Sequence, residues 1–244
     1  YGVKDNNIYV NLFAGNTSTI KVQGKDVVLE ETTEYPWNGD IKISVKKSGV
    51  KNANLLVRIP GWVRNQVVPS DLYKYSDAEK PAYTVTVNGK AVEADLDANK
   101  GYLPVKNIKK GDVIRIHFDM PVRTVVANNK VADDKGKVAV ERGPLVYCAE
   151  AVDNSNEPVL RAVVAKKPTF TLVDNYSIQN TETKGAPAFS VKAIKTDAQV
   201  LEEGANGISV KNDKLTLIPY YAWNHRGANE MNVWFIQNLS MLDK

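Results

Sequence analysis

The feature that most constrains this chain is a hydrophobic repeat of two that recurs from one end to the other. In DIKISVKK, Ile41, Ile43 and Val45 alternate with charged or hydroxyl-bearing neighbours, and the same beat runs through IYVNLF, NLLVRIP, YTVTV and DVIRIHF. Successive side chains of an extended backbone point to opposite faces, so this rhythm builds strands with one buried face. Residues suited to tight turns punctuate it: Asn88-Gly89 between two β-branched runs, then Gly111-Asp112 and Lys135-Gly136. Asn and Gly tolerate the positive φ that a two-residue hairpin turn requires. The second half continues in the same manner. GKVAVERGPLVYCAE at 136–150 holds one or two strands; FTLV at 170–173, the stretch from ISV to KLTLIPYY at 208–221 and NVWFIQ at 232–237 follow. No amphipathic helix longer than about three turns is visible, and DLYKYSDAEK at 71–80 is too polar to bury a stripe. The pattern is that of an all-β chain.

Many short strands with turns between them favour antiparallel β-sandwiches, Ig-like or jelly-roll-like. A sandwich of about 100 residues encloses one core, so 244 residues imply two in tandem. The polar ANNKVADDKGK that follows FDMPVR is the natural connection, giving a first domain at 1–123 and a second at 124–244. Thirty-two basic against 28 acidic residues leave a net charge of +4, scattered along the chain. Nucleic-acid binding needs that charge gathered into a stripe, so it is excluded as a role. There is no run of about 18 apolar residues, hence no membrane-spanning helix.

Cys148 is alone, which forbids an intrachain disulfide and any zinc site built on cysteines of this chain alone. His117 and His225 stand in no metal-ligand spacing. Asp133-Asp134 and the DNSNE run at 153–157 are oxygen-rich but lack the spacing of a Ca²⁺ loop. No metal or cofactor is therefore assigned to this chain. The opening YGVKDNNIYVNLF carries no initiator Met, charged n-region or apolar h-region, as though cut from a longer protein.

The residues with chemical potential are few. IPYYAWNHRGANEMNVW at 218–234 gathers two tyrosines, two tryptophans, a histidine and an arginine. As a sugar surface, Trp223 would stack on a ring while Asn224, His225 and Arg226 bond hydroxyls. As core, the alternation turns Leu215, Leu217, Pro219 and Tyr221 to one face, and aromatic burial of about 1.5–3 kcal/mol per side chain favours this second outcome. A catalytic histidine needs a nucleophile or carboxylate in reach, and near His225 only Glu230 offers one. Trp37, in YPWNGD, sits at a turn where Pro36 and Gly39 shape the backbone. It is expected to cap the end of a sandwich, as is Trp62 in IPGW. Arg142 beside Glu141 is costly to bury unpaired, marking either an ion pair at a domain seam or a solvated pair. No Ser-His-Asp order, Gly-rich phosphate loop or Cys-His pairing occurs.

Taken in order, IYVNLF, ETTEYPWNGDIKISV, LLVRIPGW, VTVNGK, GYLPV, KKGDVIRIHFDMPVR, GKVAVERGPLVYCAE and LIPYYAWNHRG with MNVW resemble the C-terminal half of glycoside hydrolase family 127, the β-L-arabinofuranosidase family. The resemblance runs from Tyr1 to about Phe235 and is most specific in YPWNGDI, RIPGW and ERGPLVYC. It implies two β-sandwiches that follow an N-terminal (α/α)6 barrel, and the barrel carries the retaining chemistry. There a cysteine is the nucleophile, a glutamate the acid/base, and zinc is held by Glu and Cys ligands. Cys148 matches none of these positions, so no catalytic residue is carried over. The implied role is an accessory region that packs against the barrel. The contact candidates, toward substrate or barrel, are Trp223, Asn224, His225, Arg226, Arg142 and Trp37. A carbohydrate-binding module and a cell-surface adhesion domain are the alternatives, and export to the periplasm or beyond suits an enzyme acting on plant polysaccharide.

Overall fold

A computed structural model of the chain describes residues 1–165, 167–179, 188–204 and 207–237. Among the described residues there is no α-helix, only strands and short 3₁₀ turns. The chain divides into two compact units: Tyr1–Gln66 with Glu79–Pro121, and Val67–Ala78 with Val122–Lys244.

The first unit holds two sheets. Strands β1 (Gly2–Lys4), β2 (Asn7–Val10), β3 (Asn16–Val22), β4 (Lys25–Thr33), β5 (Asp40–Ser48) and β6 (Asn54–Arg58) come in sequence. The chain then supplies β7 (Tyr73–Tyr75) to the second unit before returning for β8 (Tyr83–Val87), β9 (Lys90–Ala91), β10 (Tyr102–Val105) and β11 (Val113–Phe118). One sheet runs β1-β2-β6-β10, the other β3-β4-β5-β11-β8-β9. All these pairs are antiparallel except β2 with β6, which run parallel. Parallel neighbours need a long crossover, and here β3 to β5 lie between them. The period-two residues are the buried ones: Ile8, Val10, Leu55, Val57, Leu103 and Val105 from one sheet, and Leu29, Ile41, Ile43, Val45, Ile114 and Ile116 from the other. The β8–β9 hairpin turns at Asn88 and Gly89, both at positive φ, 51° and 81°.

An aromatic cluster closes this core. Phe118 meets Phe13 at 5.7 Å and Trp62 at 5.8 Å between ring centroids, and the Trp62 indole N–H donates to the Tyr35 hydroxyl at 3.3 Å. Trp62 is therefore the buried cap expected of it. Trp37 is not: it stands 45% exposed in the Glu34–Asn38 turn. Gly39, next in the same motif, is required by close approach and not by positive φ, because a Cβ there would fall 1.9 Å from the Phe118 carbonyl oxygen.

The second unit adds β12 (Val122–Ala127), β13 (Lys137–Arg142), β14 (Leu145–Glu150), β15 (Ala162–Val164), β16 (Phe170–Ile178), β17 (Phe189–Gly204), β18 (Gly207–Pro219), β19 (Met231–Asn232) and β20 (Phe235–Ile236). Its pairings close on themselves: β13 to β14, β18, β17, β15, β20 and back to β13. One of these, β15 with β20, is parallel. Val138, Val140, Tyr147, Leu215, Leu217 and Phe235 belong to one buried cluster on this ring. A second cluster joins Cys148, Ile178, Val191, Ala193, Ile218 and Ala222. Neighbours along one strand alternate between the clusters, Tyr147 and Ala149 in the first and Cys148 in the second. Strand β14 is thus buried on both faces, which explains why LVYCAE reads as a continuous apolar run.

The segment at 71–80, too polar to bury a helical stripe, supplies β7, the edge strand beside β12. Its single buried side chain, Tyr75, donates to a Glu141 carboxylate oxygen at 3.0 Å and lies under the Arg123 guanidinium, 3.5 Å from its ring centroid. Asp77 completes the contact, its Oδ1 2.6 Å from Arg123 Nη2.

Candidate functional site

Strand β18 ends at Pro219, which has no N–H for a further rung. The chain then makes a 3₁₀ turn, Tyr220–Ala222, with Ala222 buried and Tyr220 and Tyr221 exposed at 44% and 49%. The expectation that Tyr221 turns inward with Leu217 is thus corrected: the strand stops at Pro219, and the alternation stops with it. Trp223 is partly buried against the second cluster, its ring tilted 34° to Tyr220 at 5.9 Å. Asn224 takes the left-handed conformation at φ 65° and donates its backbone N–H to Glu150 Oε1 at 3.2 Å. The His225 ring stands edge-on to Phe189, centroids 5.7 Å apart. Among the described residues no carboxylate or nucleophile bonds it.

Arg226 is the centre of the turn. Its side chain is only 8% exposed, and it bonds Glu150, 0% exposed, and Asp153, 2% exposed. Nη1 and Nη2 each lie 2.5 Å from a carboxylate oxygen of Asp153, and Nη2 also bonds Glu150 Oε2. Two further donors saturate the acids: Asn229 Nδ2 to Glu150 at 3.1 Å and the Tyr176 hydroxyl to Asp153 at 2.7 Å. Burial alone would pull the guanidinium pKa down, but the bonds to Asp153 and Glu150 outweigh it and hold Arg226 above its ordinary value. Burial, reinforced by the Asp153 hydrogen bond, pushes Tyr176 up to about 12. Such a cluster holds a turn in place. Its carboxylates accept from Arg226, Tyr176, Asn229 and the Asn224 backbone N–H.

Arg142, only 8% exposed, is no solvated partner of Glu141; consecutive strand residues face opposite ways, and its guanidinium lies beside the Tyr147 hydroxyl. Cys148 is fully buried, and desolvation, with the Glu150 and Asp153 carboxylates, pushes its thiol up to about 12. That is the opposite of what a nucleophilic or zinc-binding thiolate needs. Cys148 therefore does not fit a zinc centre of the kind the resemblance implies. Among the described residues no group of three or more His, Cys, Asp or Glu side chains could hold a metal ion.

Sequence reasoning weighs His117 only as a metal ligand. It faces its cross-strand partner Asp40, Nδ1 to Oδ1 at 2.7 Å, and its Nε2 lies 3.1 Å from Asp119. The Asp40 hydrogen bond, ahead of the other contributions, raises its pKa. Its folded value therefore exceeds the unfolded one, so its contribution to stability is complete below about pH 6.5 and fades as pH rises through the folded value. NMR titration of the His117 ring protons should show a midpoint above the ordinary histidine value. Asp40→Asn should lower that midpoint, and an unchanged midpoint would remove Asp40 as the cause.

Comparison with known proteins places this geometry. Residues 7–120 match the family model described as the GH127 middle domain of β-L-arabinofuranosidase, and residues 122–236 match the glycoside hydrolase family 127 C-terminal domain. A non-reducing end β-L-arabinofuranosidase of Bifidobacterium longum subsp. longum is 30% identical over 231 residues, covering 91% of this chain and 32% of that protein. A solved GH127 β-arabinofuranosidase aligns with TM-score 0.86 and 45% identity over 98% of this chain and 36% of its own. The GH127 β-L-arabinofuranosidase of Geobacillus stearothermophilus T6 aligns with TM-score 0.76 and 27% identity, over 98% and 35% respectively. The chain spans about a third of the length of these relatives.

Proposed function

The chain belongs to glycoside hydrolase family 127, as its middle and C-terminal β-domains, and from that premise we propose that it serves a β-L-arabinofuranosidase-like enzyme as a scaffold for a catalytic domain carried elsewhere in the protein. The observation that carries this is the pair of family matches, at 7–120 and 122–236, set against relatives about three times as long. The local chemistry agrees. Arg226, Glu150 and Asp153 are committed to one another, and Cys148 is sealed in a core. In this reading the nucleophile, the acid/base and the zinc of the family belong to an N-terminal (α/α)6 barrel. Half-exposed aromatic side chains such as Trp37 and Tyr220 are assigned to contact with it in this reading. Export to the periplasm or the cell exterior is part of the same proposal, since plant-type polysaccharides are met there.

The chain by itself is expected to leave aryl β-L-arabinofuranosides unhydrolysed above the buffer blank. Robust turnover that disappears on substituting a residue of this chain would overturn the scaffold assignment.

A further inference from the structure

In the first unit, the β1-β2-β6-β10 sheet turns one face to the core and the other away from it. Ile8, Val10, Leu55, Val57, Leu103 and Val105 face the core, so the residues between them share the outer face. The strand registers set these in rows. Gly2, Tyr9, Leu56 and Pro104 cross the middle, with Lys4, Asn7 and Asn54 on one side and Arg58 and Tyr102 on the other. Asn11 and Lys106 continue the alternation just past the ends of β2 and β10. None of these residues is buried. The Tyr9 and Tyr102 rings meet edge to face across β6, centroids 5.3 Å apart, and the Tyr102 hydroxyl donates to Asn11 Oδ1 at 2.7 Å. Asn54 Nδ2 donates to Asn7 Oδ1 at 2.9 Å. The Nδ2 groups of Asn7 and Asn11 have no acceptor among the described residues.

The charge on this face has one sign. Lys4, Arg58 and Lys106 stand exposed on its rim, none in an ion pair among the described residues, and no Asp or Glu occupies the rows. At a strand spacing of about 4.8 Å, the backbones of Lys4 and Lys106 lie about 14 Å apart. We infer that this face binds a polysaccharide carrying scattered carboxylates. Sugar C–H faces would lie on Tyr9, Leu56 and Pro104, hydroxyls would accept from Asn7 and Asn11, and carboxylates would pair with the three cations. The rows cover about 14 by 13 Å, roughly 200 Å², against about 800 Å² from each partner in a stable protein complex. A nucleic acid, with a phosphate about every 3.4 Å of strand, would ask for cations set far closer together. This binding role goes beyond the scaffold role and stands or falls separately, because turnover by the isolated chain tests that role and sugar binding does not.

The test is a titration of this chain with a hyaluronan hexasaccharide, in which a carboxylate stands on every second sugar, followed in amide ¹H–¹⁵N correlation spectra. Amides of 7–11, 54–58 and 102–106 should shift. Raising salt from about 0.05 to about 0.5 M should weaken binding several-fold, because exposed charges are screened. Arg58→Gln and Lys106→Gln should each weaken it about 2- to 5-fold, the worth of an exposed ion pair. Adding Lys4→Gln to both should bring the loss to about 10- to 100-fold. All three side chains are exposed, so these variants should keep the native spectrum. Methyl-esterifying the sugar carboxylates should reproduce the loss. Four results would overturn the site: no shifts up to about 10 mM sugar, where even a Kd of about 1 mM would show, shifts confined to other surfaces, unchanged affinity in the triple variant, or equal affinity for a poly-glutamate of the same charge. The last would make the face a dock for an acidic protein.

Discussion

Arg226→Ala should cost the second unit about 3–5 kcal/mol, the penalty for stripping the counter-charge from buried carboxylates. Two acids are stranded at once, Glu150 fully buried and Asp153 nearly so. The loss should register as a lower denaturant midpoint. It should also open Cys148, which the intact cluster leaves buried and protonated. An aromatic disulfide reagent should leave the wild-type thiol untouched and label the variant. Arg226→Lys restores the charge without the fork that spans both acids, and should recover only part of the loss. The triple variant Arg226→Met, Glu150→Gln, Asp153→Asn removes the charges together and should lie far closer to wild type than Arg226→Ala. A loss below about 1 kcal/mol for Arg226→Ala, the ordinary size of a point-mutant effect, would show that the turn is held by its backbone and by Ala222 instead.

Residues 122–244 expressed without 67–78 should fail to reach a native fold. The edge of β12 would lose its partner rungs, Val125 with Tyr75, Val126 with Lys74 and Ala127 with Tyr73. Arg123, 6% exposed, would lose the Asp77 carboxylate and the Tyr75 ring together, and Glu141 would lose the Tyr75 hydroxyl. Losing the Asp77 contact, whose carboxylate is 44% exposed, costs up to about 1 kcal/mol, and the lost burial of Tyr75 about 1.5–3 more. Together these approach the low end of the roughly 5–15 kcal/mol that holds a typical domain. Supplying 67–78 as a peptide, or fusing it ahead of Val122 through a flexible linker, should restore dispersed amide signals. A native spectrum from 122–244 alone would reduce β7 to a dispensable edge.

How much of this was legible in the sequence depended on the distance over which each signal acts. The alternation of Ile41, Ile43 and Val45, or of Ile114 and Ile116, is written within a single strand and appears in the fold as buried faces. The Asn88-Gly89 hairpin is equally local. β7 escaped notice because an edge strand of three residues needs to bury only Tyr75, and one residue has no period. The role of Arg226 escaped for the opposite reason, since its partners lie 73 and 76 residues away along the chain. One clue was available: a Glu closing the apolar run LVYCAE must find a cation or stay neutral, and Arg226 was a candidate. A tryptophan at a turn favours a capping role for Trp37, and alternation carries Tyr221 inward with Leu217, but in each case the turn leaves the ring about half exposed.

The ring of the second unit also dictates an order of events during synthesis. Its closing strand, Phe235–Ile236, is the last made among the described strands, although Phe235 ends fully buried, paired with Val138 on a strand made about a hundred residues earlier. β7 is made earlier still. At translation speeds of roughly 5–20 residues per second, it waits on the order of 10–30 s for the ring it borders to become closable. The first unit, whose last strand is β11, has everything it needs well before then. The chain thus carries one completed unit and one open, apolar half-ring through that interval.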